Sequence, residues 1–89
     1  MSNKLEDWRK QIDTLDEKIL VLLAKRMNIS SKIGRFKKKQ KISILDKKRW
    51  EEILGTSFKN SETLGLSKEF IQNLLNLIHK YSLEIQEKG

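Results

Sequence analysis

From Leu5 to Phe36 the chain repeats apolar residues at alternating spacings of three and four. The seam reads Leu5, Trp8, Ile12, Leu15, Ile19, Leu22, Arg26, Ile29, Ile33, Phe36. A 3-4 spacing held this long specifies one long helix with a face to bury. At 1.5 Å per residue the helix from Leu5 to Lys39 extends roughly 50 Å, more than the remaining residues of so short a chain can cover. Trp8 at one end and Phe36 at the other require a second copy packed antiparallel, or else a bent or frayed helix in a monomeric three-helix bundle. The single interruption of the seam is Arg26. A guanidinium on a buried face is paired, hydrated, snorkelling to water or waiting for an anion, because a lone buried charge is expensive.

The rest of the chain continues the helical reading. There is no Pro or Cys among the 89 residues, only four Gly, and 35% of the residues are charged. That composition indicates one small all-α domain over residues 1–89. The residues from Lys39 to Leu45 form a short connection, and Asp46 is placed to cap a second helix carrying Arg49, Trp50, Ile53 and Leu54. Between Gly55 and Leu66 the periodicity fades, which predicts a helix end and a loop. Ser67 then caps a third helix whose apolar face is Phe70, Ile71, Leu74, Leu75, Ile78 and Ile85, with Ser82 on that face and Gln86 one turn later. The expected fold is three helices per chain, the first one long, in an intertwined antiparallel homodimer.

Several chemistries are excluded at this level. Without cysteine there are no disulfides and no thiolate zinc sites, and a single histidine rules out a multi-His metal site within one chain. No apolar run reaches transmembrane length, and the stretch from Met1 to Arg9 is too polar for a signal peptide, so a cytoplasmic protein without membrane contact is expected. The net charge of +7 calls for an anionic partner or serves solubility alone.

The basic residues are spaced for a small anion. Arg26 and Lys37 lie eleven residues apart, three helical turns, so they point the same way about 16 Å apart along the axis. Arg9 lies roughly 25 Å from Arg26 on its own helix. In an antiparallel dimer centred near Leu20, Arg9 of a second copy falls beside the Arg26–Lys37 segment. Each residue also has a plainer reading. Arg9 is then a surface residue, Lys37 one of a solvated lysine run, Arg49 a partner of Asp46, and Ser82 and Gln86 the wet end of a helix.

The blocks Arg9-Lys-Gln-Ile-Asp13, Leu22-Leu-Ala-Lys-Arg26, Ile33-Gly-Arg-Phe-Lys37, Asp46-Lys-Lys-Arg49, Gly65-Leu-Ser67 and Ser82-Leu-Glu-Ile-Gln86 together resemble the all-helical class of chorismate mutases over nearly the whole chain. The resemblance implies an isomerase of aromatic amino acid biosynthesis that converts chorismate to prephenate by an intramolecular Claisen rearrangement. Such a reaction needs no cofactor, metal or nucleophile. It needs a flexible dicarboxylate held in position and charge stabilised as the ether C–O bond breaks. Carried over, Arg26 and the partner's Arg9 hold carboxylates, and Lys37 and Gln86 donate to the ether oxygen. Arg49 and Ser82 support carboxylate binding, and Asp46 meets the substrate hydroxyl through its backbone. The catalytic set is then Lys37, Gln86 and Arg26, with chorismate as the small-molecule partner.

One position departs from the pattern. Active relatives commonly carry, directly after the arginine corresponding to Arg49, a glutamate that binds the substrate hydroxyl; here it is Trp50, followed by Glu51 and Glu52. Moving one residue along a helix turns the side chain by about 100°, so Glu51 does not take that place. Ser82 weighs the other way, because relatives that eliminate pyruvate from isochorismate carry a bulkier residue there. The lyase reaction on the same fold is one alternative. The other is a basic helical nucleic-acid-binding protein, whose cations would run in an exposed stripe and whose affinity would fall steeply with salt.

Overall fold

Three helices form where the apolar periodicity places them. A computed structural model of the chain describes residues 3–88; Met1, Ser2 and Gly89, the ends of the expected domain, lie outside the described residues. Helix α1 runs Lys4–Lys39, α2 Lys47–Leu64 and α3 Lys68–Lys88. Asn3 begins α1, its side chain accepting from the Leu5 amide at 3.0 Å, with Glu6 and Asp7 in the positive first turn and Lys37, Lys38 and Lys39 in the negative last one. Asp46 and Ser67 cap the other two helices as expected. The Asp46 carboxylate accepts from the Arg49 amide at 3.0 Å and the Ser67 hydroxyl from the Phe70 amide at 3.2 Å.

The second helix corrects the expected boundary. It does not end near Gly55 but continues to Leu64. A helix-interior glycine costs only about 1 kcal/mol relative to alanine. Ile53, Leu54, Ser57, Phe58 and Ser61, all partly or fully buried, continue one face beyond it at spacings of three and four. The stop comes at Gly65, whose left-handed φ of 73° lets the Leu66 amide reach the Ser61 carbonyl at 2.9 Å. Helix α1 ends by the same device, with Lys41 at φ 57° and the Ile42 amide bonded to the Lys37 carbonyl at 2.8 Å.

Helix α3 is the hub. It packs on α1 and on α2, while α1 and α2 do not pack on each other among the described residues. The pairs Ser30–Ser82 and Lys38–Glu87 run in the same order along both helices, so α1 and α3 are parallel. The α1–α3 crossing is built from small residues. A Cβ added at Gly34 would lie 2.6 Å from both the Cα and the carbonyl oxygen of Gln86, so only glycine permits the approach. Trp50 against His79 and Phe58 against Lys68 set α2 antiparallel to α3.

No large apolar side chain is buried among the described residues; the buried side chains are Ser30, Ser61, Ser82 and Gln86. The seam of α1 lies open, with Trp8 59% and Phe36 60% exposed. The shape is a rod of 62 × 25 × 15 Å. Its accessible surface is 7653 Å², where a folded monomer of this mass exposes about 5,400 Å². No helix of the described residues is long and apolar enough to cross a membrane.

Candidate active site

Because α1 and α2 stand apart on a shared support, a cleft of about 350 Å³ opens between them with α3 as its third wall. Arg26, Ser30, Ile33 and Lys37 face it from α1, Asp46, Arg49 and Trp50 from the start of α2, and His79, Ser82 and Gln86 from α3. Each group follows helical spacing, so that side chains three or four residues apart reach the same cleft. Six of the seven residues expected to bind substrate line this one cavity. The seventh, Arg9, is exposed on α1 and does not line it.

Three cations, Arg26, Lys37 and Arg49, meet a single carboxylate, Asp46, in the cleft wall. Lys37 Nζ donates to the Ile44 carbonyl at 2.8 Å, which ties the connection between α1 and α2 to the cleft wall and leaves the ammonium two further donors. Arg49 does not pair with the Asp46 carboxylate; its guanidinium lies 3.5 Å from Glu52, one turn on, at the surface. Exposed pairs of this kind contribute less than about 1 kcal/mol and yield readily to a better anion.

At the floor, the Ser30 and Ser82 hydroxyls are 2.7 Å apart and Gln86 Nε2 donates to Ser82 Oγ at 3.3 Å. Gln86 Oε1 is buried without a hydrogen-bond partner among the described residues. Turning the amide over satisfies that oxygen with the Ser82 hydroxyl and frees Nε2 as a donor. Ser30 thereby joins the site, a residue that sequence reasoning did not single out. Its spacing of four from Arg26 was the available signal.

His79 was also missed. It lines the cleft, and its ring stacks on Trp50 with centroids 4.0 Å apart and planes 14° from parallel. Burial, and secondarily the positive Arg26, hold the imidazole pKa below its ordinary value of 6.5. The spacing His79, Ser82, Gln86 on one helix was legible; the stack with a residue of α2 was not.

The arrangement fits what related sequences are. The family described as Chorismate mutase type II matches residues 8–87. The chain belongs to the type II chorismate mutase family. Among curated proteins it is similar to the T-protein of Enterobacter agglomerans, at 30% identity over 82 residues, which is 92% of this chain and 22% of that protein. It is also similar to the bifunctional chorismate mutase/prephenate dehydratase of Buchnera aphidicola subsp. Acyrthosiphon pisum, at 32% identity over 87 residues, 98% of this chain and 23% of that one. The T-protein of Haemophilus influenzae matches at 31% identity over 71 residues, 80% of this chain and 19% of its own length. The chain thus spans about a fifth of the curated relatives it matches. As members of this family are expected to be, it is all-helical among the described residues.

Proposed function

We propose that this chain is a chorismate mutase domain of aromatic amino acid biosynthesis that rearranges chorismate to prephenate, working as a homodimer in which Arg9 of a second copy completes each cleft. The observation that carries the reading is the convergence of Arg26, Lys37, Arg49, Asp46, Ser82 and Gln86 on one cavity whose charge suits a dianion. Arg26 offers a planar fork to one carboxylate, Arg9 of the second copy holds the other, and Arg49, once released from Glu52, supports the binding. Holding both acid groups folds the flexible enolpyruvyl side chain over the ring, which removes most of the entropic barrier to the reaction. As the ether C–O bond lengthens and the new C–C bond forms, negative charge gathers on the ether oxygen. Lys37 Nζ and the turned amide of Gln86 are donors held ready for it, stronger in the transition state than in the bound substrate.

The dimer is supported by the open α1 seam and by a surface roughly 2,200 Å² larger than a monomer of this mass exposes. That excess is on the scale of one subunit's share of an obligate interface. The nucleic-acid reading loses support because Arg26 and Lys37 stand in a walled cleft rather than on a stripe.

Incubation of the purified protein with chorismate and with isochorismate separately tests the reaction. Prephenate from chorismate, with no pyruvate released from isochorismate, is the expected result. Pyruvate release from isochorismate alone would move the chain to the lyase branch, and no product from either would end the enzymatic reading.

A further inference from the structure

The cleft is rich in donors and poor in acceptors. Arg26, Lys37 and Arg49 can only donate. The Ile44 carbonyl accepts from Lys37 at 2.8 Å, the Asp46 carbonyl from the Trp50 amide at 3.1 Å, and the Asp46 Oδ1 from the Arg49 amide at 3.0 Å. Ser30 and Ser82 are engaged with each other, and the turned Gln86 amide gives its oxygen to Ser82 and presents Nε2 to the cleft as a donor. Trp50 carries only an N–H donor. This set suits two carboxylates and an ether oxygen, all of which accept. Chorismate also has a ring hydroxyl, whose proton needs an acceptor once water is expelled, and an unpaired buried hydroxyl costs about 1–3 kcal/mol.

Besides the second oxygen of the Asp46 carboxylate, the imidazole of His79 has that capacity to spare. Neither ring nitrogen is hydrogen-bonded among the described residues. A neutral imidazole keeps one lone pair and one N–H, so it can accept from a hydroxyl and also return a hydrogen bond to it. Stacking on Trp50 at 4.0 Å fixes the plane of the ring, which lines the cavity, and leaves the ring edge clear of the indole face.

We infer that His79, held edge-on by the Trp50 indole, is the specificity-determining residue that accepts a hydrogen bond from the ring hydroxyl of the substrate. This rests on the mutase reading and assigns the part of the substrate that the basic residues cannot recognise. The indole and the imidazole work as a pair from two helices, the one as platform and the other as acceptor. Neutrality of the ring is built in, since burial and Arg26 both disfavour the protonated form. The charged groups facing His79 across the cleft are Arg26 and Lys37 from α1 and Asp46 and Arg49 from the start of α2. Of these, Arg26 opposes protonation of the ring.

The test compares His79→Phe, which keeps a ring on Trp50 but no acceptor, and His79→Gln, which keeps an acceptor, on chorismate and on its analogue with hydrogen in place of the hydroxyl. Wild-type conversion of chorismate is measured first. If it is absent, the mutase reading fails at that step, before any variant is involved, and this assignment falls with it. Given activity, His79→Phe is expected to lower kcat/KM for chorismate about tenfold while changing that for the deoxy analogue less than about twofold. His79→Gln should recover part of the loss. On the acid side, wild-type kcat/KM for chorismate should fall as the imidazole takes up a proton, and that limb should vanish in His79→Phe, where Asp46 is unchanged. As the chain's one histidine, its ring nitrogens can be followed by NMR, and product should shift the unprotonated one upfield. Equal losses on both substrates would show a structural role only and overturn the assignment. So would an unchanged kcat/KM for chorismate, or a ring unaffected by ligand in an active enzyme.

Discussion

Arg26 and Lys37 differ in what they are asked to do, and their variants should differ accordingly. Arg26 is half-buried on the cleft wall, where a guanidinium is both partly desolvated and positioned for a bidentate contact. Its replacement by alanine should lower kcat/KM by several orders of magnitude, measured by the disappearance of chorismate. The Lys37 ammonium is held by the Ile44 carbonyl, and in the proposed reaction it serves an oxygen that becomes charged only in the transition state. Lys37→Ala should therefore depress kcat far more than it raises KM. A change in KM alone would reassign Lys37 to ground-state carboxylate binding. The roles of single residues were legible in the sequence where spacing on one helix sufficed, as for Arg26 with Lys37 and Ser82 with Gln86. They were not legible for His79, because a lone histidine at helical spacing reads as ordinary core. Its meaning comes from Trp50, which lies on another helix and reads as core in its own right.

Two backbone details at the ends and crossings of the helices carry measurable weight. Lys41 holds a left-handed φ of 57° so that α1 can close its last turn. A side chain in that region costs on the order of 1 kcal/mol. Lys41→Gly should accordingly stabilise the fold by up to about that amount in urea unfolding, with the m-value unchanged. Gly34 has no such freedom to give. A methyl group there meets backbone atoms of Gln86 at 2.6 Å, so the helices must part. Gly34→Ala should destabilise by about 1–3 kcal/mol and should lower activity beyond that loss, because Gln86 moves with α3. Measuring kcat on the fully folded variant separates the two effects. Helix starts at Asp46 and Ser67 were readable from capping chemistry alone. The end of α2 was not, since Gly55 and Gly65 look alike in a sequence and only the second adopts a left-handed conformation. The close approach at Gly34 was equally hidden, being a contact with a residue fifty-two positions away.

At the scale of the molecule, a rod with no large apolar side chain buried among the described residues has little to hold it together alone. Folding and association should be one transition, with an unfolding midpoint that rises with protein concentration. A concentration-independent midpoint with a monomeric mass in solution would contradict it. The second molecular prediction separates the chains. Arg9→Ala and Arg26→Ala, each inactive, should recover about a quarter of wild-type activity when unfolded together and refolded, since random pairing leaves one intact site in each heterodimer. Mixing the folded proteins without denaturant is the control and should restore nothing. If Arg9 served its own chain, every site would carry one lesion and refolding would restore nothing either. The open seam was the plainest message of the sequence at this scale, because its length exceeds what the rest of the chain can cover.

The α1–α3 crossing at Gly34 has a consequence for how such a site can drift over generations. On its α1–α3 side the gauge of the cleft is set where one backbone rests directly on another, not by the bulk of the side chains around it. Residues such as Ile29, Ile33 and Leu83, which line the cavity, can then be exchanged for others of different size without altering the distance between its walls. A library randomised at those three positions should retain many active members, and one randomised at position 34 should retain almost none. A site built in this way can be re-lined for a differently shaped diacid while its span stays constant.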